Sequence, residues 1–202
     1  SLAGSAVSAW KTDPENCRSF VTVPLREAGG SDERETVHMC RAFANHQGLD
    51  YVALRYMNVY GPRQDHRGAY TGVIMNMLDR LYQGLPPLVH GDGSQSYDFV
   101  HVTDCAAANL AAMQADTTDE FYNVGTGVCT SVLEIAEMLI ELTGVAVDVE
   151  LAPEKPSFVR RRVGSPTKAC HDLRFSPKMG LREGLTELVA WHREDVRRQE
   201  VV

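Results

Sequence analysis

The chain has 202 residues, 44% of them hydrophobic and 23% charged, with a formal net charge of -7. That length and balance suit one soluble globular core, with or without a small appendage, and the acidic excess argues against nucleic acid or an anionic membrane as the main partner. No run approaches the length of a membrane span and no basic-then-apolar leader opens the chain, so no membrane partner is expected.

The five cysteines, Cys17, Cys40, Cys105, Cys129 and Cys170, are odd in number and never form a C-x-x-C pair. That pattern fits reduced thiols and a cytoplasmic location better than a disulfide framework or a zinc site. The seven histidines show no H-E-x-x-H spacing, and no G-x-S-x-G elbow is present, so neither a metal centre nor a serine nucleophile is read.

In chain order, residues 1–31 are rich in small and polar residues, with one brief apolar run from Phe20 to Leu25 interrupted by Pro24. No element is assigned there. Ser31 to Gln47 predicts a helix, capped by Ser31 or Asp32 and stopped by Gly48, with Val37, Cys40, Phe43 and Ala44 as its apolar stripe. Tyr51 to Met57 predicts a buried strand that Gly61-Pro62 cannot continue. Asn58 then stands at the C-terminal end of a strand, where open α/β sheets place their ligands; capping its own turn is the alternative. Gly68 to Gln83 predicts a helix, and the loop before it, with Asp65, His66 and Arg67, reads as solvated.

Leu88-Val89-His90 is a short strand, Gly91 to Ser94 a tight turn, and Ser96 to Val102 the returning strand. Thr103 or Asp104 caps a helix of small residues through Met113. His101 reads as a core or interface histidine. Phe121 to Val124 is a buried strand, and Thr130-Ser131 with Glu134 forms a capping box that opens a helix from Val132 to Leu142. Val145 to Leu151 alternates as a strand, and Pro153 to Pro166 is an irregular loop. Its Arg160-Arg161-Arg162 is the one tight basic cluster, either a solvated loop or a grip on a diphosphate. A short helix from Lys168 to Leu173 and a final one from Leu181 to Arg198 end the chain.

Several segments resemble a known family. Leu54 to Arg63 resembles an R-x-x-N-V-Y-G-P-R segment, and His90 to Asp104 a G-D-G-x-Q-x-R/Y-D-F-V-Y-V-x-D segment. Phe121 to Gly125 resembles a Y-N-V-G strand, Arg162-Val163-Gly164 an R-x-G-D loop, and Leu181 to Trp191 an L-x-E-G-L-x-x-x-V-x-W ending. Together they resemble the C-terminal part of the extended short-chain dehydrogenase/reductases, the NAD-dependent nucleotide-sugar epimerases and dehydratases, over about Val37 to Trp191.

The resemblance implies an α/β fold: a substrate-binding domain over residues 32–202, plus remnant strands and helices of a Rossmann-type parallel sheet, preceded by a poorly defined segment, 1–31. It implies that Asn58 contacts the diphosphate-sugar and that Arg162 pairs with a phosphate, with Arg161 in that role if the register shifts by one. Tyr97 stands where relatives often carry an arginine near the phosphates, the main chain around Val89 and His90 would meet the base, and Arg63 is a further candidate. A uridine diphosphate sugar is the expected ligand, and NAD the cofactor of the intact family. No G-x-G-x-x-G or G-x-x-G-x-x-G occurs in the 202 residues. The catalytic Tyr-x-x-x-Lys positions align with Gly29 and Glu33, and neither can supply a phenol of lowered pKa.

No catalytic residue is therefore assigned, and the chain alone is expected to be inactive. It reads as part of such an enzyme, as a binding module, or as a dimerisation partner of a complete enzyme. Strands that belong in a larger buried sheet predict an oligomer or a partner chain.

Overall fold

The structure, a computed structural model, describes residues 7–9, 18–24, 31–48, 50–64, 72–154 and 159–200. Its first layer is a four-stranded sheet in the order β1 (Val7–Ala9), β2 (Arg18–Pro24), β3 (Asp50–Tyr56) and β8 (Glu120–Val124). β2, β3 and β8 run parallel, and β1 is antiparallel to β2. Residues 1–31, without an assigned element from sequence, thus hold two strands; Pro24 is tolerated because it closes β2.

Between β2 and β3 lies α1 (Ser31–Gln47). It stops where the sequence predicts, at Gly48, whose φ of +65° lets its N–H reach the Ala44 carbonyl at 3.0 Å. The side chains of Ser31, Asp32 and Val37 lie outside the described residues, as does Gly29. Of the predicted stripe, Cys40 and Ala44 are half-buried and Phe43 is exposed. β3 is buried along Tyr51 to Leu54, as expected of a central parallel strand. Leu54 stands level with Thr22 on one side and Tyr122 on the other. The face carrying Val52, Leu54 and Tyr122 packs on Cys105, Ala108 and Ala112 of α3 (Val102–Gln114), and on Ala169 at α5 (Thr167–Asp172).

After β3 the chain bends at Met57, whose N–H reaches the Val124 carbonyl at 2.9 Å. The next three residues form β4 (Asn58–Tyr60), a strand absent from the sequence reading, parallel to β7 (Phe99–His101). A second core lies among α2 (Val73–Tyr82), α4 (Val132–Thr143) and α6 (Leu181–Glu200), built on Leu78, Leu81, Ile135, Leu139, Leu185 and Leu188. The described part of α2 begins at Val73 after Gly72; residues 65–71, including the solvated-loop prediction and Gly68, lie outside the described residues.

Five expectations change. The returning strand over 96–102 is two strands, β6 (Ser96–Tyr97) and β7, separated at Asp98. They form no hairpin with β5 (Leu88–His90), which instead pairs parallel with β10 (Glu150–Ala152). The predicted strand from Val145 shrinks to β10, because Val145, Val147 and Val149 spend their side chains on the second core. The basic loop is partly ordered: β11 (Arg161–Arg162) lies parallel to β6, whose other neighbour is β9 (Thr130–Ser131). Finally, α3 is capped by His101, whose Nδ1 accepts from the Thr103 N–H at 3.4 Å. Asp104 accepts instead from the backbone N–H groups of Lys178 and Met179, tying down the approach to α6. The capping box of α4 forms as the sequence predicts, with the Glu134 N–H donating to Ser131 Oγ at 3.1 Å and the Ser131 N–H to the Glu134 carboxylate at 2.7 Å. No helix among the described residues is long and apolar enough to cross a membrane.

Candidate functional site

Beyond the C-terminal end of β3 the chain encloses a cleft of about 330 Å³. Met57, Asn58 and Tyr60 form one wall, Val73 and Ile74 at the start of α2 a second, and Leu88, His90, Gln95, Tyr97 and Phe99 the rest. Its position follows from topology, because strand ends in α/β sheets leave crevices that side chains do not fill. One glycine shapes its lip. Gly61 has φ +144°, and a Cβ there would meet Val102 Cγ1 at 2.6 Å and the His101 ring at 3.0 Å. The chain can therefore turn away from β4 only at that residue.

Asn58 is half-buried on the cleft wall, held by its main chain: its N–H donates to the Asp98 carbonyl at 2.9 Å. Its carboxamide bonds to no described residue, so it is not spent on capping its own turn. Tyr97 lines the cleft on edge against Phe99, their ring centres 6.2 Å apart, and its hydroxyl donates to the Val159 carbonyl at 3.0 Å. His90 lines the cleft with its ring 3.2 Å from the Pro153 carbonyl, and its own carbonyl accepts from the Gln95 amide at 2.8 Å. Val89 points the other way and is fully buried in the second core.

The two arginines of β11 are separated by register. Arg162 stands level with Tyr97 and Arg161 with Ser96, and paired residues in a ladder share a face. Arg162 is thus on the Tyr97 side and Arg161 on the opposite one. Arg63 is exposed, with φ +68°, in the turn after Gly61-Pro62, and does not line the cleft. Two polar residues were missed. Gln95 lies within the G-D-G-x-Q segment, where its spacing from His90 was a usable signal. Gln64 also lines the cleft, but it follows a Gly-Pro turn and no periodicity marks it.

Chemically the cleft is equipped to bind. Tyr56 and Tyr60 both line it, and burial pushes both phenols up, Tyr60 further raised by Asp104, Glu187 and Glu183. A phenol held protonated donates hydrogen bonds but does not abstract protons near neutral pH. Tyr56 donates to Asn109 Oδ1 at 2.9 Å and Tyr60 to the Leu181 carbonyl at 3.3 Å, so both are already engaged. Among the described residues no cluster of His, Cys, Asp or Glu is arranged to hold a metal ion.

Residues 30–125 match the model of the NAD dependent epimerase/dehydratase family. The chain is 35% identical over 150 residues to a putative UDP-glucose 4-epimerase of Methanocaldococcus jannaschii, covering 74% of this chain and 48% of that protein. It is 32% identical over 162 residues to a UDP-N-acetyl-alpha-D-glucosaminuronate decarboxylase of Bacillus cytotoxicus, covering 77% and 50%. Among solved structures, UDP-glucose 4-epimerase of Thermotoga maritima with UDP-glucose superposes with a TM-score of 0.77 at 36% identity, covering 81% of this chain and 52% of that one. The Thermus thermophilus UDP-glucose 4-epimerase complex with NAD gives 0.72 at 29% identity, covering 86% and 64%. The chain thus spans about half the length of the curated relatives it matches.

Proposed function

From the match of residues 30–125 to the NAD dependent epimerase/dehydratase family model and the likeness to UDP-sugar enzymes, we propose that the chain is a member of that family and that its cleft is the nucleotide-sugar side of such a site. The reading rests on Asn58, a carboxamide left uncommitted at a strand end on the wall of a 330 Å³ cleft. Its amide suits the sugar and the diphosphate, while Arg162, whose planar fork matches phosphate oxygens, completes the anion grip from the Tyr97 side. Leu88 and His90 supply the wall for the base, and residues 32–202 form the binding portion. A uridine nucleotide is favoured because the relatives above are named for UDP-sugars.

Hydride chemistry is not assigned to this chain. Its 202 residues carry neither the glycine-rich dinucleotide turn nor a Tyr-x-x-x-Lys pair, and burial holds the phenols of Tyr56 and Tyr60 protonated. Where NAD serves relatives, it would be held by residues of the glycine-rich kind that this chain does not contain. We place the protein in the cytoplasm on cysteines that, among the described residues, form no disulfide. A second reading, a module that associates with another chain, is favoured by Met39 and Phe43 of α1, which are 60% and 45% exposed.

Calorimetric titration of the chain with UDP, dTDP, GDP and NAD tests the proposal. Selective binding of one nucleotide diphosphate, without NAD, is expected. Failure of all four to bind would reject the cleft as a self-sufficient half-site and leave the association reading.

A further inference from the structure

The break between β6 and β7 falls on a single residue, Asp98, which is wholly buried. A carboxylate in that position is costly unless its charge is met. No described cation lies within ion-pair distance, and three donors meet it instead. The Thr126 N–H and hydroxyl donate to Oδ1 at 2.9 and 2.6 Å, and the Gly127 N–H to Oδ2 at 2.9 Å. The main chain of the same residue is equally committed. Its carbonyl accepts from the Asn58 N–H at 2.9 Å, and its N–H donates to the Arg162 carbonyl at 2.9 Å. One residue thus joins β4, β11 and the loop after β8.

We propose that Asp98 is the positioning residue of the cleft: anchored by the 126–127 loop, it sets the separation between Asn58 and Arg162, and so the grip on a nucleotide diphosphate. This rests on the reading of the cleft given above. Asp98 itself is sealed from ligand and acts only through the two strands it joins. The surroundings leave it one orientation. A Cβ on Gly125 would fall on the Asp98 carboxylate and lie 2.6 Å from Met57 Cγ, so that position has room for no side chain. Asparagine, although the same size, cannot replace Asp98, because it turns one acceptor into a donor facing the N–H groups of Thr126 or Gly127.

UDP titration of the full chain tests this, using Asp98→Asn, Arg162→Ala and the double variant. Asp104→Asn is the control: Asp104 is a second buried carboxylate that accepts two backbone N–H groups, from Lys178 and Met179, away from the cleft lining. Asp98→Asn should weaken UDP binding about tenfold, a loss in the range for a broken charge-assisted bond. In the Arg162→Ala background the same change should cost much less, because residues that act as a unit do not add. Asp104→Asn should lower the melting midpoint and leave affinity unchanged.

Equal loss of affinity in both backgrounds, or a loss no greater than that of Asp104→Asn, overturns the proposal. Should Asp98→Asn not fold, Thr126→Val removes the 2.6 Å bond to Asp98, together with the 3.1 Å bond that the same hydroxyl accepts from the Val128 N–H; about threefold weaker binding is expected, and unaltered affinity refutes it. If the unaltered chain binds no nucleotide diphosphate, the reading of the cleft fails first and takes this inference with it.

Discussion

Replacing Gly184 by alanine decides between two opposed effects. Gly184 is the fourth residue of α6, and glycine to alanine in a helix ordinarily stabilises by about 1 kcal/mol. Here the added methyl would press on the Tyr60 hydroxyl and lie 2.9 Å from Tyr60 Cζ and 3.0 Å from His101 Cδ2. Neither neighbour can retreat. Tyr60 and His101 are 2% and 1% exposed, their rings meet edge to face, and each belongs to one strand of the β4–β7 pair. Overpacking of this kind costs about 1–3 kcal/mol. Displacing Tyr60 also strains its 3.3 Å bond to the Leu181 carbonyl, worth about 1 kcal/mol. The crowding therefore outweighs the helix gain, and Gly184→Ala should destabilise by about 1–3 kcal/mol, each kcal/mol lowering the melting midpoint by about 2–4 °C. Urea denaturation followed by circular dichroism measures it. A midpoint raised by the substitution would show that α6 does not press on β4 as described.

The two arginines of β11 should behave differently: Arg162→Ala should weaken UDP binding by roughly 10-fold or more and Arg161→Ala by less than about twofold, whereas the reverse order would break the register argument. Leu139→Ala, fully buried among α2, α4 and α6, should cost about 2–5 kcal/mol in chemical denaturation with UDP affinity kept in the folded fraction. The Ser131 hydroxyl and N–H hold the Glu134 carboxyl below its ordinary value of 4.5. A depressed carboxylate contributes stability above the unfolded value and loses it as pH falls through the folded one. Ser131→Ala should therefore lower the melting midpoint at pH 7, with the gap to the parent narrowing below pH 4.5; a gap independent of pH would contradict the capping box.

Features fixed by neighbours in sequence were legible. The helix from Ser31 to Gln47, the capping box at Ser131 and Glu134, and the left-handed stops at Gly48 and Gly144 depend on residues within a turn of one another. Features fixed by distant partners were not. Nothing near Asp98 indicates that its carboxylate is held by Thr126 and Gly127, and that capture is what divides one apparent strand into two. β11 is ordered only because Ser96 and Asp98 donate their N–H groups to Arg160 and Arg162. The candidate site shows the same split: Asn58 is marked by the strand end before it, whereas Val89, inside an apolar triplet, gave no sign of which neighbour faces the core. Gln64 reaches the cleft wall from a turn whose direction depends on how Gly61 clears His101 and Val102.

The long-range pairing of β5 and β6 has a consequence for synthesis. Residue 88 finds its strand partner at residue 150, and residue 96 at residue 161. A growing chain that has emerged only as far as α4 therefore holds β5 with no strand beside it and β6 with one edge bare. That edge is covered late, when the segment of Arg161 and Arg162 emerges and pairs with β6. Until then the half-built wall is an open template for any other extended segment, its own kind included. The segment that carries Arg162 is thus also the last strand to cover the free edge of β6.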